Sequence, residues 1–176
     1  MKKVAMTLVL SFLVAATSIA QTINSDKSVV NFKVTNMKTK TVEGTFSGMK
    51  GTVNFSPENL ASSNFDVCID ASTVNTQNEK RDKHLRTADF FDVEKYPTIC
   101  FKSSSVTKKA DQYLLKGTMT MHGITKEVTI PFTLSNNVFK GTLTVKRLDY
   151  KVGEGTKEFM VGNDIEIEIN AILNKD

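Results

Sequence analysis

The chain has 176 residues, enough for one domain of ordinary size, or one domain plus a removable segment, and too few for two. Its 23 basic and 19 acidic residues, 40% apolar content and 3 prolines exclude a disordered or collagen-like chain, and a net charge of +4 is too small to imply nucleic acid. Two cysteines and two histidines are few for a metal cluster, and 11 Phe with no Trp assign the aromatics to filling apolar space.

Lys2 and Lys3 precede an apolar run from Val4 to Ala16, and small residues at Ser18 and Ala20 fit a signal-peptidase site. Residues 1–20 are therefore expected to be a cleaved secretory leader, with the mature domain over 21–176. The run is shorter than the roughly 20 residues a membrane-spanning helix needs, so no stable span is expected. Without Lys2 and Lys3 the balance is 21 basic against 19 acidic residues, close to neutral, which argues further against nucleic acid. No cysteine stands at position 21 to carry a lipid anchor, and the expected destination is the periplasm.

Beyond Gln21 the dominant signal is period two, which puts alternate side chains on one face of a strand. It runs through Val30–Val34, Val42–Phe46, Val53–Phe55, Phe65–Ile69, Ile99–Phe101, Tyr113–Met121, Val128–Leu134, Phe139–Val145 and Ile165–Leu173. Strands apolar on one face and joined by short polar connections predict an antiparallel sheet, since a parallel one needs crossover helices and apolar runs. Ser47-Gly48 and His122-Gly123 read as hairpin turns. Residues 76–96 lose the alternation and become charge-rich, which predicts one or two short helical turns capped by Asn75 or Thr76 and ended by Tyr96-Pro97. A one-faced sheet of this length covers its apolar side by rolling into a barrel or by packing as a sandwich. Glycines at 44, 51, 117 and 141 all fall on inward positions and predict a barrel interior that is not completely filled.

The irregular segment is also the most distinctive. Thr76, Arg81-Asp82, His84-Leu85-Arg86, Asp89-Phe90-Phe91-Asp92-Val93, Tyr96-Pro97, Ile99 and Phe101 resemble the signature of the YceI-like family of exported barrels. Gly117–Lys126, with His122-Gly123 at its turn, and Arg147-Leu148-Asp149-Tyr150 with Val152-Gly153 are similar to two further family blocks. The resemblance runs over residues 21–176. It implies an all-β fold, an extended antiparallel lipocalin-like β-barrel of about eight strands, with the helical excursion at 76–96. It also implies a polyisoprenoid chain, such as an isoprenoid quinone or polyprenyl lipid, as ligand, and an association with stress responses. No catalytic set and no cofactor travel with it. Departures are Met119 and Met121 in place of branched residues and Tyr150 where Phe is commoner.

Inward alternation makes Phe32, Phe46, Phe55, Phe101, Met119, Met121, Phe132 and Leu143 the candidate ligand-binding residues, each equally readable as plain core. The two methionines have flexible thioethers that adapt to irregular apolar shapes. Cys68 and Cys100 fall on the outward set of their strands. The family topology implies that these strands are neighbours, so an oxidising compartment favours a disulfide; two separate thiols are the other reading. Arg81, Asp82, His84, Arg86, Asp89 and Asp92 form the densest polar cluster. Alternating signs in a short helical segment point to local ion pairs bracing a lid-like element, with Leu85, Phe90 and Phe91 packed on the barrel. An enzyme using Asp82 and His84, and a filled barrel serving protein interaction, stay open beside the carrier reading. No metal site is expected, because no short ligand pair exists. Self-association is left open.

Overall fold

A computed structural model describes residues 20–37 and 39–174. The expected leader falls outside the described residues except for Ala20.

Among the described residues ten strands form one curled sheet. They are β1 (Gln21–Thr22), β2 (Val29–Asn36), β3 (Lys40–Phe46), β4 (Lys50–Asn54), β5 (Asn64–Asp70), β6 (Thr98–Lys109), β7 (Gln112–Met121), β8 (Ile124–Ser135), β9 (Val138–Lys146) and β10 (Val161–Ile172). A single α-helix, α1 (Glu79–Arg86), interrupts them within the described residues. The order is β1-β4-β5-β6-β7-β8-β9-β10-β2-β3, and every neighbouring pair is antiparallel. This is the antiparallel all-β architecture that the alternation predicts, in the lipocalin-like form that the resemblance implies.

The excess over eight strands has a simple origin. β1 is two residues long. β3 and β4 do not pair with each other, so Ser47-Gly48 is not the hairpin turn the sequence suggests. The chain bends there and carries on in one direction, its first half pairing with β2 and its second half with β5. The bend is kept open by Gly48 at φ 69°, a left-handed conformation that favours glycine. The two edges of the sheet are thereby joined by three residues of chain. Opposite the bend, Ile23 bridges to Leu173 and β1 pairs with β4, so the chain ends close the other side of the seam. His122-Gly123 is a true hairpin turn, with both residues at positive φ as a two-residue turn requires.

Outward residues settle the register with charge. Lys33 faces Glu43 at 2.9 Å, Lys146 faces Asp164 at 2.8 Å and Lys102 faces Asp66 at 3.6 Å, each pair directly opposite across two strands. Exposed pairs of this kind add little stability each, but together they disfavour a slip that would turn charges inward.

The inward glycines act differently from expectation. A Cβ at Gly44 would collide with the Phe32 ring, one at Gly117 would lie 2.6 Å from the Phe101 ring, and one at Gly141 would lie 2.9 Å from Phe139 and Ile130. A Cβ at Gly51 would strike the backbone of Asp66. Gly44 and Gly141 seat neighbouring side chains, Gly51 admits a neighbouring strand, and Gly117 does both, its Cβ also striking the Lys102 carbonyl, so the glycine positions themselves are occupied and not hollow.

Candidate ligand cavity

The interior divides along the barrel. At the end where β1 and the C-terminal residues meet, Phe55, Phe65, Tyr113, Phe132 and Phe139 form an aromatic cluster. Phe132 stacks on Phe139 at 4.8 Å, and Tyr113 meets the edge of Phe55 at 4.9 Å. Above it lies a cavity of about 200 Å³. Phe65 and Phe139 form its floor, and Met49, Leu115, Ile167 and Ile169 are part of its wall.

Six of the candidate residues border this space: Phe32, Phe46, Phe101, Met119, Met121 and Leu143. Phe55 and Phe132 do not, and belong to the aromatic cluster behind the floor. Alternation identifies which face a residue occupies but not its height in the barrel, so these two share the pattern without reaching the cavity.

The cover is the irregular segment. Leu85, Phe90 and Phe91 all border the cavity, with the Phe91 ring edge-on to Phe46 at 5.3 Å. α1 is capped by Asn78, whose side chain accepts from the Arg81 amide at 3.0 Å, and not by Asn75 or Thr76. Asn75 instead bridges to Thr45 and ties the segment to β3. Asp82 is buried and accepts from the Thr76 amide at 2.8 Å and from the Thr76 hydroxyl. Arg81 grips Thr76 Oγ1 and carbonyl at 2.7 and 2.9 Å, and Arg86 donates to the carbonyls of Ser72 and Val74 at 2.6 and 2.7 Å. The cluster therefore braces the cover mainly through backbone groups. Of the expected local ion pairs, Glu79–Lys83 is present and exposed, and the His84 ring Nε2 lies 3.0 Å from Asp89 Oδ2, also exposed. Asp82 and His84 have different partners, and the structure does not bring them together as an acid and a base.

The residue that sequence reasoning passed over is Arg147. It is 3% exposed and borders the cavity, yet its guanidinium has no hydrogen-bonded carboxylate. It donates instead to five backbone carbonyls, those of Val152, Gly153, Thr156, Val161 and Gly162, at 2.6–3.0 Å. The side chain thus winds residues 152–162 around itself beside the cover, where Gly153 meets the Phe90 ring. Burial lowers its pKa below the ordinary guanidinium value. The only signal in the sequence was its place in the Arg-x-Asp-Tyr block.

Two further contacts finish this end. Tyr96 packs on His122 at 4.8 Å, and His122 Nδ1 donates to the carbonyl of Tyr150 at 3.1 Å, so the imidazole binds backbone, as its turn position suggests. Tyr150 is 2% exposed, and its hydroxyl has no partner. Burial holds its pKa up at about 12, favouring the neutral phenol in the fold. The unfolded chain gives up this proton near pH 10 and the fold only near 12, so stability is unaffected below pH 10 and falls as pH climbs toward 12. Tyr150→Phe is expected to remove this alkaline loss and to leave neutral-pH stability unchanged or raised by up to about 1–2 kcal/mol. Urea midpoints of both proteins from pH 8 to 12 check it; parallel curves would contradict it.

Cys68 and Cys100 are directly opposed on β5 and β6 and are bonded to each other. The bond spans 32 residues, a loop that carries the whole cover, and in the chain-entropy description closing it stabilises by about 3–4 kcal/mol. Among the described residues no group of three or more His, Cys, Asp or Glu is placed to hold a metal, and no helix is long and apolar enough to cross a membrane.

A curled antiparallel sheet around a covered apolar cavity, with no polar constellation facing it, defines a lipocalin-like barrel of the binding type. The YceI-like domain matches residues 21–173, and the chain belongs to the YceI-like family. Protein YceI of Escherichia coli O157:H7 is 40% identical over 101 residues, covering 57% of this chain and 53% of that protein. The chain thus spans about half the length of the curated relatives it matches. Burkholderia cenocepacia BcnA superposes with a TM-score of 0.81 at 24% identity, over 86% of this chain and 99% of that one. Campylobacter jejuni YceI gives 0.67 at 27% identity, over 77% and 86%. A polyisoprenoid binding domain from Saccharophagus degradans, implicated in plant cell wall breakdown, gives 0.68 at 14% identity, over 89% and 98%.

Proposed function

We propose that this protein is an exported, periplasmic carrier that shelters a polyisoprenoid chain, an isoprenoid quinone or a polyprenyl lipid, in its barrel cavity. One observation carries the reading: the wall is hydrocarbon and sulfur apart from Arg147, whose donors are already spent on backbone carbonyls. Such a space has nothing to offer a charged group and favours a chain of methyl and methylene groups. The structural neighbour from Saccharophagus degradans, a polyisoprenoid binding domain, supports the same ligand class. Export is supported by the leader-like residues 1–20, and the bonded cysteine pair suits an oxidising compartment.

The energetics set a length. Each five-carbon unit gains roughly 4 kcal/mol on burial, association costs some 4–15, and micromolar binding needs about 8, so about four units must be enclosed. At about 200 Å³ the cavity is below the roughly 300–1,000 Å³ usual for ligand pockets, so loading widens it. Met119 and Met121, with three rotatable bonds each, and the cover residues Phe90 and Phe91 are the side chains expected to give way.

Organic extraction of the protein purified from its own host, followed by mass spectrometry, is expected to yield one isoprenoid per chain. Met119→Trp is expected to place its indole in the cavity and cut retention of a labelled polyprenol at least tenfold, at a stability cost of about 1–3 kcal/mol. A lipid-free extract together with undiminished retention in the variant would refute the carrier reading. A reaction catalysed by Asp82 and His84 is the weaker reading, since the two side chains are turned to separate partners.

A further inference from the structure

Among the described residues the large apolar side chains standing exposed are Met37, Phe159 and Met160, at 58%, 53% and 43%. They come from segments more than a hundred residues apart in sequence, yet they share one place. The Met37 amide donates to the Met160 carbonyl at 3.2 Å, which joins the β2–β3 turn to the loop that leads into β10. The same loop holds Val152 and Val161, both on the cavity wall, and is wound around Arg147. The exposed patch is therefore the outer side of the structure whose inner side encloses the cavity.

We propose that this tip is a docking surface for an anionic lipid bilayer, through which the hydrophobic ligand is exchanged; the exchange role rests on the carrier reading above. A chain that is insoluble in water has to enter and leave from a membrane, and exposed apolar side chains flanked by lysines are the chemistry of interfacial binding. The described residues of the two segments, 37, 39–40 and 151–160, hold three lysines, Lys40, Lys151 and Lys157, against Glu154 and Glu158, a local excess of positive charge that anionic headgroups attract. Backbone satisfaction supports the same occupant. The loop's carbonyls at Val152, Gly153, Thr156 and Val161 are paired with Arg147, so the loop enters a water-poor headgroup region with those acceptors already satisfied.

The chain contains no tryptophan, so Phe159→Trp introduces a single reporter at an exposed site. With vesicles of phosphatidylcholine and phosphatidylglycerol, its emission is expected to shift to the blue, and the protein is expected to float with them. Binding is expected to weaken at high salt and with pure phosphatidylcholine. The triple substitution Met37→Ser, Phe159→Ser, Met160→Ser is expected to lower vesicle binding at least ~10-fold. Its retention of polyprenol delivered from cyclodextrin is expected to stay unchanged. Water-like emission with no flotation overturns the docking proposal, and does so whether or not the protein retains polyprenol. Concentration-dependent dimerisation lost in the triple variant, without vesicle binding, overturns it in favour of a second copy as occupant. Flotation by a protein that retains no polyprenol upholds the docking surface and removes the carrier reading instead.

Discussion

Replacing Arg147 with Ala is expected to destabilise the protein by about 3–5 kcal/mol, the range of a broken buried polar network. The five carbonyls it now satisfies sit within residues 152–162, where the Thr156 amide also donates to Gly153 and the Met160 and Val161 amides donate to Lys157, so turn bonds remain but Gly153 is the carbonyl among the five to which they supply a second donor. Each buried acceptor left without a donor costs about 1–3 kcal/mol, so the loop opens to water rather than stay in place. Opening exposes Val152 and Val161 and removes the contact between Gly153 and Phe90 that seats the cover. Arg147→Lys is expected to recover less than half of the loss. Lysine keeps the charge, but its three donors radiate from one point and cannot span carbonyls that a planar fork reaches from five positions. Urea unfolding gives the stability, and limited proteolysis reports the loop, with new cleavage expected between residues 151 and 161. Full rescue by Lys would mean that charge, and not fork geometry, holds this end together.

Phe132→Ala is expected to cost about 3–5 kcal/mol as well, by a different route. Phe132 is 1% exposed, is stacked on Phe139 and lies within 5.6 Å, centroid to centroid, of Phe55, Phe65 and Tyr113. It faces Gly141 across β8 and β9, so the neighbouring strand supplies no side chain to refill the gap. Phe132→Leu, which keeps most of the volume, is expected to cost about 1–2 kcal/mol. Because the ring stands behind the floor, these substitutions are expected to lower the unfolding midpoint while leaving polyprenol retention per folded molecule within a factor of two. Met119→Trp is expected to show the opposite pattern, with the smaller loss of stability and with retention lost. Retention measured at 10 °C on both variants separates the two classes, and a Phe132→Ala protein that folds normally but retains no polyprenol would assign the aromatic cluster to the ligand.

That contrast marks how far alternation reaches. Period two placed all eight candidate residues inside, and inside they are, but Phe46 and Phe132 carry the same pattern although one borders the cavity and the other plugs it. The glycines show the same limit from the other side. Their inward placement was legible, whereas the fit of Gly44 to the Phe32 ring, of Gly117 to the Phe101 ring and of Gly141 to Ile130 depends on side chains that only the paired strands bring near. In the cover, the mixed charges of residues 79–92 were visible as a brace, but the burial of Asp82 against Thr76 was not, because neighbours of mixed charge on a short helix look solvated in sequence.

The sequence by itself determined the strand faces, the antiparallel all-β class and the family, because these follow from local period and from residue identity at short spacing, whereas which charges face each other and whether Cys68 meets Cys100 waited for the strand pairing. Tertiary structure alone decided where the cavity ends, which loop encloses it and that Arg147 is the pin of that loop. The physical reason is that height along a barrel and the closure of a polar network are set by strands and loops distant in sequence. A local pattern carries the direction of a side chain and no information about what it will meet.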